Sequence, residues 1–469
     1  MHHRYQTTRR SFLKQLTVAG VGAYAIPQIL PARVFGAPAA NSKLNIALLA
    51  CGGRTGQLLP SILNAGENVV AVCDVNAQRV ARLKKDAAAK YGAAGAALEN
   101  AKVYEDYRQL LAAEKSVDAV VIAAGQRWHV AMSRASLQAG KHVFCEKPLA
   151  HSVAEAREIQ QIARRSKLVT QVGTQGGSTP TFRRSMEVIQ AGMLGTIREV
   201  HCWINRGFPP SAPVAQDADP IPEGLNWDFW CGPSPLLPFK NYYLGGCLAW
   251  GRWLDFGDGH LADMGAHAIN LPWRALKLGT PQRVSVEIPE PLLGSYPSAT
   301  SFRWDFGARG NLAPVSLWWH DGKMAGPPPE LGKDLLSNYD KVPTNGVLFT
   351  GDKGLLYSDA WGVGGVVKLK GEAECRGVLN HEAAKSIPVT LPRAPKNNSH
   401  MQEWLDACKG GPSTFQGFAE SADIAEVAMT GIVALRFGKP IEWDSVALKA
   451  TGAPEADRWI HLEPRKKWL

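Results

Sequence analysis

Lys147 stands between Glu146 and Pro148 in HVFCEKPLAHS (142–152), where an apolar run ends and a helix start follows. Neither packing nor helix propensity asks for a lysine there, although a polar surface loop would accommodate one. An ammonium group at a strand end can instead polarise a substrate oxygen. Farther along, HLADMGAHAIN (260–270) carries Asp263 and His267 four residues apart. On a helix that spacing puts both on one face. A carboxylate orienting an imidazole is what a proton-transfer site needs. An aspartate near a helix start and a satisfied core histidine are the other readings of the same pair.

The turn LLACGGRTG (48–56) supplies Cys51, Gly52, Gly53, Arg54, Thr55 and Gly56 directly after an apolar run. Its glycines let backbone amides and a helix N-terminus approach a pyrophosphate. Ala50 and Thr55 occupy the first and third glycine positions of that fingerprint, so the turn alone is a weak signal. Asp74, 22 residues after Gly52, strengthens it. A carboxylate there accepts both ribose hydroxyls and repels a 2′-phosphate, so NAD is expected ahead of NADP. Arg79 keeps NADP open. Adding His260 to the downstream pair gives H-x-x-D-x-x-x-H, a possible metal set. Hydride chemistry needs no metal and no further ligand follows from spacing, so none is expected. Trp203, Trp227, Trp230, Trp250, Trp253 and Trp273, with Tyr242 and Tyr243, are faces on which sugar rings stack, or equally a satellite core. Trp230, Arg252, Trp253 and His260 are the residues expected to face a substrate.

The elements that must position these groups alternate strand and helix from Leu44 onward, which predicts a doubly wound parallel sheet. Strands are expected at 44–50, 68–74, near Val103, at 117–124, 141–146 and 168–175. Helices are expected at about 56–65, 77–92, 104–113 and 129–140, and after a capping box of Ser152 and Glu155. Gly52, Asp74, Gly125 and Lys147 then all lie past the carboxyl ends of strands, the edge where such sheets bind ligands. Pro148 biases Lys147 toward an extended conformation. After about Gly195 the strands recur without regular helices between them, which predicts a second α/β domain with an open, mostly antiparallel or mixed sheet. Residues 208–256, rich in Pro and Trp, show no periodicity. The expected division is 1–40, 41–175 and 176–469.

The chain has 469 residues, 45% of them apolar and 20% charged, an ordinary globular composition. Its formal charge of +10 falls to +5 without the first forty residues, which hold five basic and no acidic side chains. The remaining basic residues are interspersed with acids, so nucleic acid is not an expected partner. Arg9 and Arg10, followed by Ser11, Phe12, Leu13 and Lys14, precede a modest apolar stretch and a small-residue site at Ala37-Pro38-Ala39. That order resembles a twin-arginine export signal, which implies the export machinery as partner, a periplasmic protein and no stable membrane insertion. Eight single cysteines without a C-x-x-C pair read as small apolar fillers.

GQRWHVAMSRASLQAGKHVFCEKP, the following LA, the D-x-x-x-H pair, VGTQ, GLNWDFWCGP, WGRWLDFGDGHLADMGAHAINLPWRAL and the closing IEWD resemble the Gfo/Idh/MocA oxidoreductases (glucose-fructose oxidoreductase, inositol dehydrogenase and relatives). The resemblance implies an N-terminal Rossmann domain and a C-terminal α/β domain whose open sheet supports a homo-oligomer, dimer or tetramer. It makes Lys147 the catalytic lysine, with Asp263 and His267 beside it. It places Ala124, Gly125, Gln126, Trp128, His129, Glu146 and Gln175 along the cofactor. Ala124-Gly125 replaces the usual Thr-Pro. The activity implied is NAD-dependent oxidation of a sugar, glycoside or polyol carbinol. An exported enzyme must keep and recycle its NAD, because no cytosolic pool reaches it. Transient oxidation followed by elimination, as in NAD-dependent glycosidases, and a non-catalytic sugar binder are the alternatives.

Overall fold

In the computed structural model, residues 43–337, 339–395 and 399–468 are described. The export-like segment 1–40, with its Ala37-Pro38-Ala39 site, lies outside them. Strands β1 (Asn45–Leu49), β2 (Asn68–Cys73), β3 (Lys102–Tyr104), β4 (Ala119–Ile122), β5 (His142–Cys145) and β6 (Thr170–Val172) form a parallel sheet ordered β3-β2-β1-β4-β5-β6. β4 and β5 are buried along their whole length. Continuous apolar runs of this kind are what a parallel sheet covered by helices on both faces requires.

Helices α1 (Gly53–Asn64), α2 (Ala77–Lys90), α3 (Tyr107–Ala113), α4 (His129–Gln138) and α5 (Val153–Arg165) make the crossovers. Local chemistry fixes their starts. Asn76 and Asp106 accept first-turn N–H groups of α2 and α3, and the Ser152 hydroxyl accepts the Glu155 N–H at 3.1 Å. The Glu155 carboxylate reaches the His151 N–H at 2.8 Å, one residue before the position a capping box prescribes. α1 begins three residues ahead of the expected Gly56, because extended Gly52 serves as its cap.

Ten strands form the second sheet: β7 (Ile197–Ile204), β8 (Arg283–Glu287), β9 (Ser301–Phe306), β10 (Val315–Asp321), β11 (Asn345–Gly351), β12 (Gly354–Ser358), β13 (Gly365–Leu369), β14 (Arg376–Gly377), β15 (Ile441–Asp444) and β16 (Lys449–Thr451). Their order is β14-β13-β12-β11-β7-β10-β9-β8-β15-β16. β7 and β10 pair parallel while β11 pairs antiparallel with β7, so the sheet is mixed. Val200, Cys202, Phe302, Trp304, Leu317, Trp319, Val347 and Phe349 share one core with α6 (Pro180–Gln190) and α8 (Phe418–Phe437). Two late helices return to the first sheet. Met401, Trp404 and Leu405 of α7 (His400–Cys408) pack with Phe144 and Leu58, and Phe418 and Ala422 of α8 join the core around Val143. The stretch carrying Asp263 and His267 is not one α-helix: it is broken into a π turn (Leu261–Gly265) and two short α pieces, Ala266–Ala268 and Asn270–Ala275. Among the described residues, no helix is long and apolar enough to cross a membrane.

Candidate active site

Lys147 lies two residues past β5, and its peptide bond to Pro148 is cis. Its Nζ lies 2.5 Å from Asp263 Oδ1, with side chains 17% and 12% exposed. The two charges hold one another. Burial pulls the lysine down, but the Asp263 charge and hydrogen bond outweigh it and raise its pKa. Burial pushes Asp263 up, and Lys147 overturns that to leave its pKa lowered. Asp263 therefore steadies Lys147. Among the described residues it makes no hydrogen bond to His267, which departs from the expected helical pairing. The physical reason is the π turn holding Asp263, whose i→i+5 bonding removes the α-helical alignment of residues four apart. Arg206, two residues past β7, puts Nη1 4.0 Å from Asp263 Oδ2, and Cys247 Sγ lies 3.8 Å from Oδ1.

His267 is 5% exposed and tilted against Trp361, ring centroids 6.5 Å apart. Burial, then the nearby Lys147 charge, pushes its pKa down to about 3, so the ring is neutral near neutral pH. Its Nδ1 is buried without a partner among the described residues, which leaves Nε2 as the nitrogen able to meet a ligand. Lys147, Asp263 and His267 all line one cavity of about 790 Å³.

That cavity runs along the carboxyl ends of the parallel strands. Gly52, Gly53, Arg54, Asp74, Ala124, Gly125, Gln126, Trp128, Glu146 and Gln175 line it as expected, and so does Trp230. Cys51, Thr55, Gly56 and His129 sit behind the wall. The Cys51 N–H donates to Asp74 Oδ2 at 2.6 Å, and the Thr55 hydroxyl donates to the Ala50 carbonyl at 2.6 Å. His129 bridges two turns, with Nδ1 2.6 Å from the Pro148 carbonyl and Nε2 3.0 Å from that of Ala124. It positions the lysine loop. Glu146 accepts Arg54 Nε at 2.8 Å, and a Cβ at Gly173 would stand 2.5 Å from the Glu146 carboxyl, so only glycine permits this approach.

Of the residues expected to face substrate, Arg252, Trp253 and His260 are not in the cavity wall. Trp253 packs in a satellite core with Trp227, Phe239, Tyr243 and Phe256. Arg252 stacks on Trp253 and donates to the Pro210 carbonyl, and His260 stacks on Phe208 with centroids 4.0 Å apart. Most of the tryptophan cluster thus serves packing. Among the described residues, no group of three or more His, Cys, Asp or Glu could hold a metal ion. Cys51, Cys73, Cys145, Cys202, Cys231, Cys375 and Cys408 are buried, and Cys247 is exposed.

Sequence reasoning missed Arg127, Arg206, Cys247, Trp361 and Trp468 in the wall. Arg206 carried a usable signal, a cation immediately past a strand end, whereas Trp468 carried none. Arg127 is buried, and its Nε and Nη2 donate to the Trp230 carbonyl at 3.1 and 2.5 Å.

A dinucleotide fits these residues. Gly52 caps α1 without a side-chain bond, and a Cβ at Gly53 would enter open space, so first-turn amides are free for a diphosphate. Asp74 lines the cavity just past the end of β2. Burial raises its pKa against the lowering effect of the Cys51 and Asn76 N–H bonds. Gln175 Oε1 and Arg127 Nη1 are buried and have no partner among the described residues.

Known proteins agree with this architecture. Residues 44–174 match the profile of an oxidoreductase family NAD-binding Rossmann fold, and residues 182–292 match the same family's C-terminal α/β domain. Together the matches cover just over half of the chain. Inositol 2-dehydrogenase 2 of Saccharopolyspora erythraea is 32% identical over 174 residues, 36% of this chain and 48% of the relative. The alignment therefore spans about half the length of that curated relative. An aldose-aldose oxidoreductase from Caulobacter crescentus, complexed with glycerol, superposes with a TM-score of 0.56 at 16% identity, covering 86% of this chain and all of the other. A dehydrogenase from Bordetella pertussis in complex with NADH and UDP-GlcNAcA superposes with a TM-score of 0.58 at 15% identity, covering 87% and 99%. At these identities the two structures show the fold.

Proposed function

Since the chain belongs to the Gfo/Idh/MocA oxidoreductase family, with its NAD-binding Rossmann and C-terminal α/β domains, we propose that it is an NAD-dependent dehydrogenase of a sugar, glycoside or polyol carbinol. The observation that carries the reading is the Lys147–Asp263 pair at 2.5 Å, facing the cavity beside neutral His267. NAD, when bound, supplies the hydride acceptor. Lys147, held charged, donates from Nζ to the substrate hydroxyl oxygen and favours its loss of a proton. Asp263 fixes the ammonium in place. His267 Nε2 takes the hydroxyl proton, with a lone pair already free near neutral pH. Trp230 and Trp361 line the cavity, and Trp361 stands beside His267.

In this reading residues 1–40 address the folded protein to the periplasm through the twin-arginine machinery. Its NAD then stays bound and cycles between an oxidised and a reduced substrate. In the same reading the half-buried Trp318 and His320, which stack on one another on the second sheet, mark the surface for a homo-oligomer. The test is a titration of the purified protein with sugars, polyols and glycosides, read by absorbance of bound nicotinamide. Reduction is the expected result, and Lys147→Met keeps its cofactor but loses it. Aglycone release without net reduction would replace the reading with elimination chemistry. Binding with neither would leave a sugar-binding protein.

A further inference from the structure

We propose that the segment Arg465–Trp468 is a cofactor clamp, walling the end of the cavity opposite Lys147 and holding the adenosine half of the dinucleotide against release. The inference rests on the reading of a bound NAD, and it assigns retention to residues outside the Rossmann sheet. Sheet order gives the polarity. Lys147 lies past β5, whereas Asp74, Asp106 and Tyr107 follow β2 and β3 at the other side of the cavity.

Trp468 stands at that side. Its ring lies edge-on to Trp128, centroids 5.0 Å apart and planes at 90°, and edge-on to Phe229 at 4.8 Å and 87°. The Arg108 guanidinium sits 5.0 Å from its centroid. Trp468 Nε1 is buried and has no partner among the described residues, so the ring acts through its faces and edges. All three neighbours of this ring flank or line the cavity, so the tryptophan closes a gap that the Rossmann turns leave open.

The segment is tied down from both sides. Arg465 Nη1 donates to Asp228 Oδ1 at 2.6 Å, its Nε and Nη2 donate to the Gly232 carbonyl at 2.9 and 2.6 Å, and its N–H donates to the Pro233 carbonyl at 3.0 Å. Lys467 Nζ donates to Asp228 Oδ2. Residues 223–231 are in turn stitched to the turn after β2. The Ala77 N–H donates to the Gly224 carbonyl and the Asn226 N–H to the Val75 carbonyl, each at 2.9 Å. Gln78 Nε2 donates to the Glu223 carbonyl at 3.0 Å, and Arg127 grips the Trp230 and Cys231 carbonyls. A ligand seated beneath Asp74 and Tyr107 therefore leaves only when this two-layer cover opens.

The experiment measures release of NADH from the full chain, by fluorescence after mixing with excess NAD, together with the affinity for ADP-ribose. Trp468→Ala is expected to speed release about ten- to a hundredfold, as two lost edge-to-face contacts imply. ADP-ribose affinity should change by less than the release rate, because these ring contacts are made with and without ligand and so slow entry and exit alike, while Trp468→Phe stays near wild type. Arg465→Gln leaves the ring in the chain but frees its anchor, and it should accelerate release even if Trp468→Ala fails to fold. Wild-type release rates in Trp468→Ala and Arg465→Gln overturn the clamp. Slow release that is equal in all forms leaves retention standing and removes the clamp. Fast wild-type release, faster still in Trp468→Ala, keeps the clamp and removes retention.

Discussion

Replacing Lys147 by Met keeps the length of the side chain and removes its charge, which isolates the ion pair with Asp263. Two unit charges 2.5 Å apart at an effective dielectric near 20 attract by about 7 kcal/mol, most of it offset by their desolvation. The variant loses the attraction but keeps Asp263 desolvated, at 12% exposure. Breaking one side of such a pair costs about 3–5 kcal/mol. Arg206, 4.0 Å from Asp263 Oδ2, remains as a partial counter-charge and places the expected loss at the low end, about 3 kcal/mol. With the unfolding entropy of a 469-residue chain, that is a Tm decrease of about 3 °C. The assay is thermal unfolding of the cofactor-free protein, because bound NAD would add linkage of its own. In the wild type the Asp263 pKa lies below its unfolded value, so its contribution is present above that value and is lost as pH falls through the folded one. In Lys147→Met burial outweighs the remaining positive charge of Arg206 and raises the pKa, so the gap to wild type narrows as pH is lowered toward 4. Adding Asp263→Asn removes the orphaned charge and should recover most of the loss. Strict additivity of the two substitutions would refute the coupling on which the proposed role of Lys147 depends.

Ala50 has φ = 76°, a left-handed conformation that costs a residue with a Cβ. Ala50→Gly should stabilise the protein by about 0.5–1 kcal/mol in urea unfolding without weakening NAD. Asp74→Ser removes the carboxylate that repels a 2′-phosphate while Arg79 stays in the wall, so the ratio of NADP to NAD affinity should rise about tenfold or more by equilibrium titration. His129 and His400 are held neutral by burial, each with its pKa down at about 4. Between their unfolded value near 6.5 and pH 4 the unfolded chain binds more protons, so each removes up to about 1.4 kcal/mol of stability per pH unit as pH falls. His400→Gln should flatten the measured slope of unfolding free energy against pH by roughly one proton.

The first sheet was legible because strands such as β1, β4 and β5 are buried apolar runs and three of the crossover helices start on the side-chain caps Asn76, Asp106 and Ser152. The position of Lys147 on the ligand edge followed from counting strand ends. Strands such as β9 and β12 were harder to read, since their pairing depends on partners far away in sequence. The partnership of Asp263 was misjudged because a π turn leaves no mark on spacing: the pattern is the same in an α-helix, yet the carboxylate meets Lys147 instead of His267. Arg252, Trp253 and His260 share the composition of sugar-binding residues, and only packing shows that Trp253 and His260 are spent on core and stacking contacts. Trp468 lies more than 300 residues from the turns it meets, beyond the reach of any local signal.

The central claim is that a carbinol hydride reaches an NAD that the protein keeps. It is tested most directly by a single turnover with a polyol or sugar deuterated at the carbinol carbon, followed by gel filtration and mass analysis of the bound cofactor. The result expected is deuterium on the nicotinamide of cofactor that travels with the protein, absent in Lys147→Met. Deuterium retained in the sugar, or washed into solvent with the cofactor unlabelled, would contradict it.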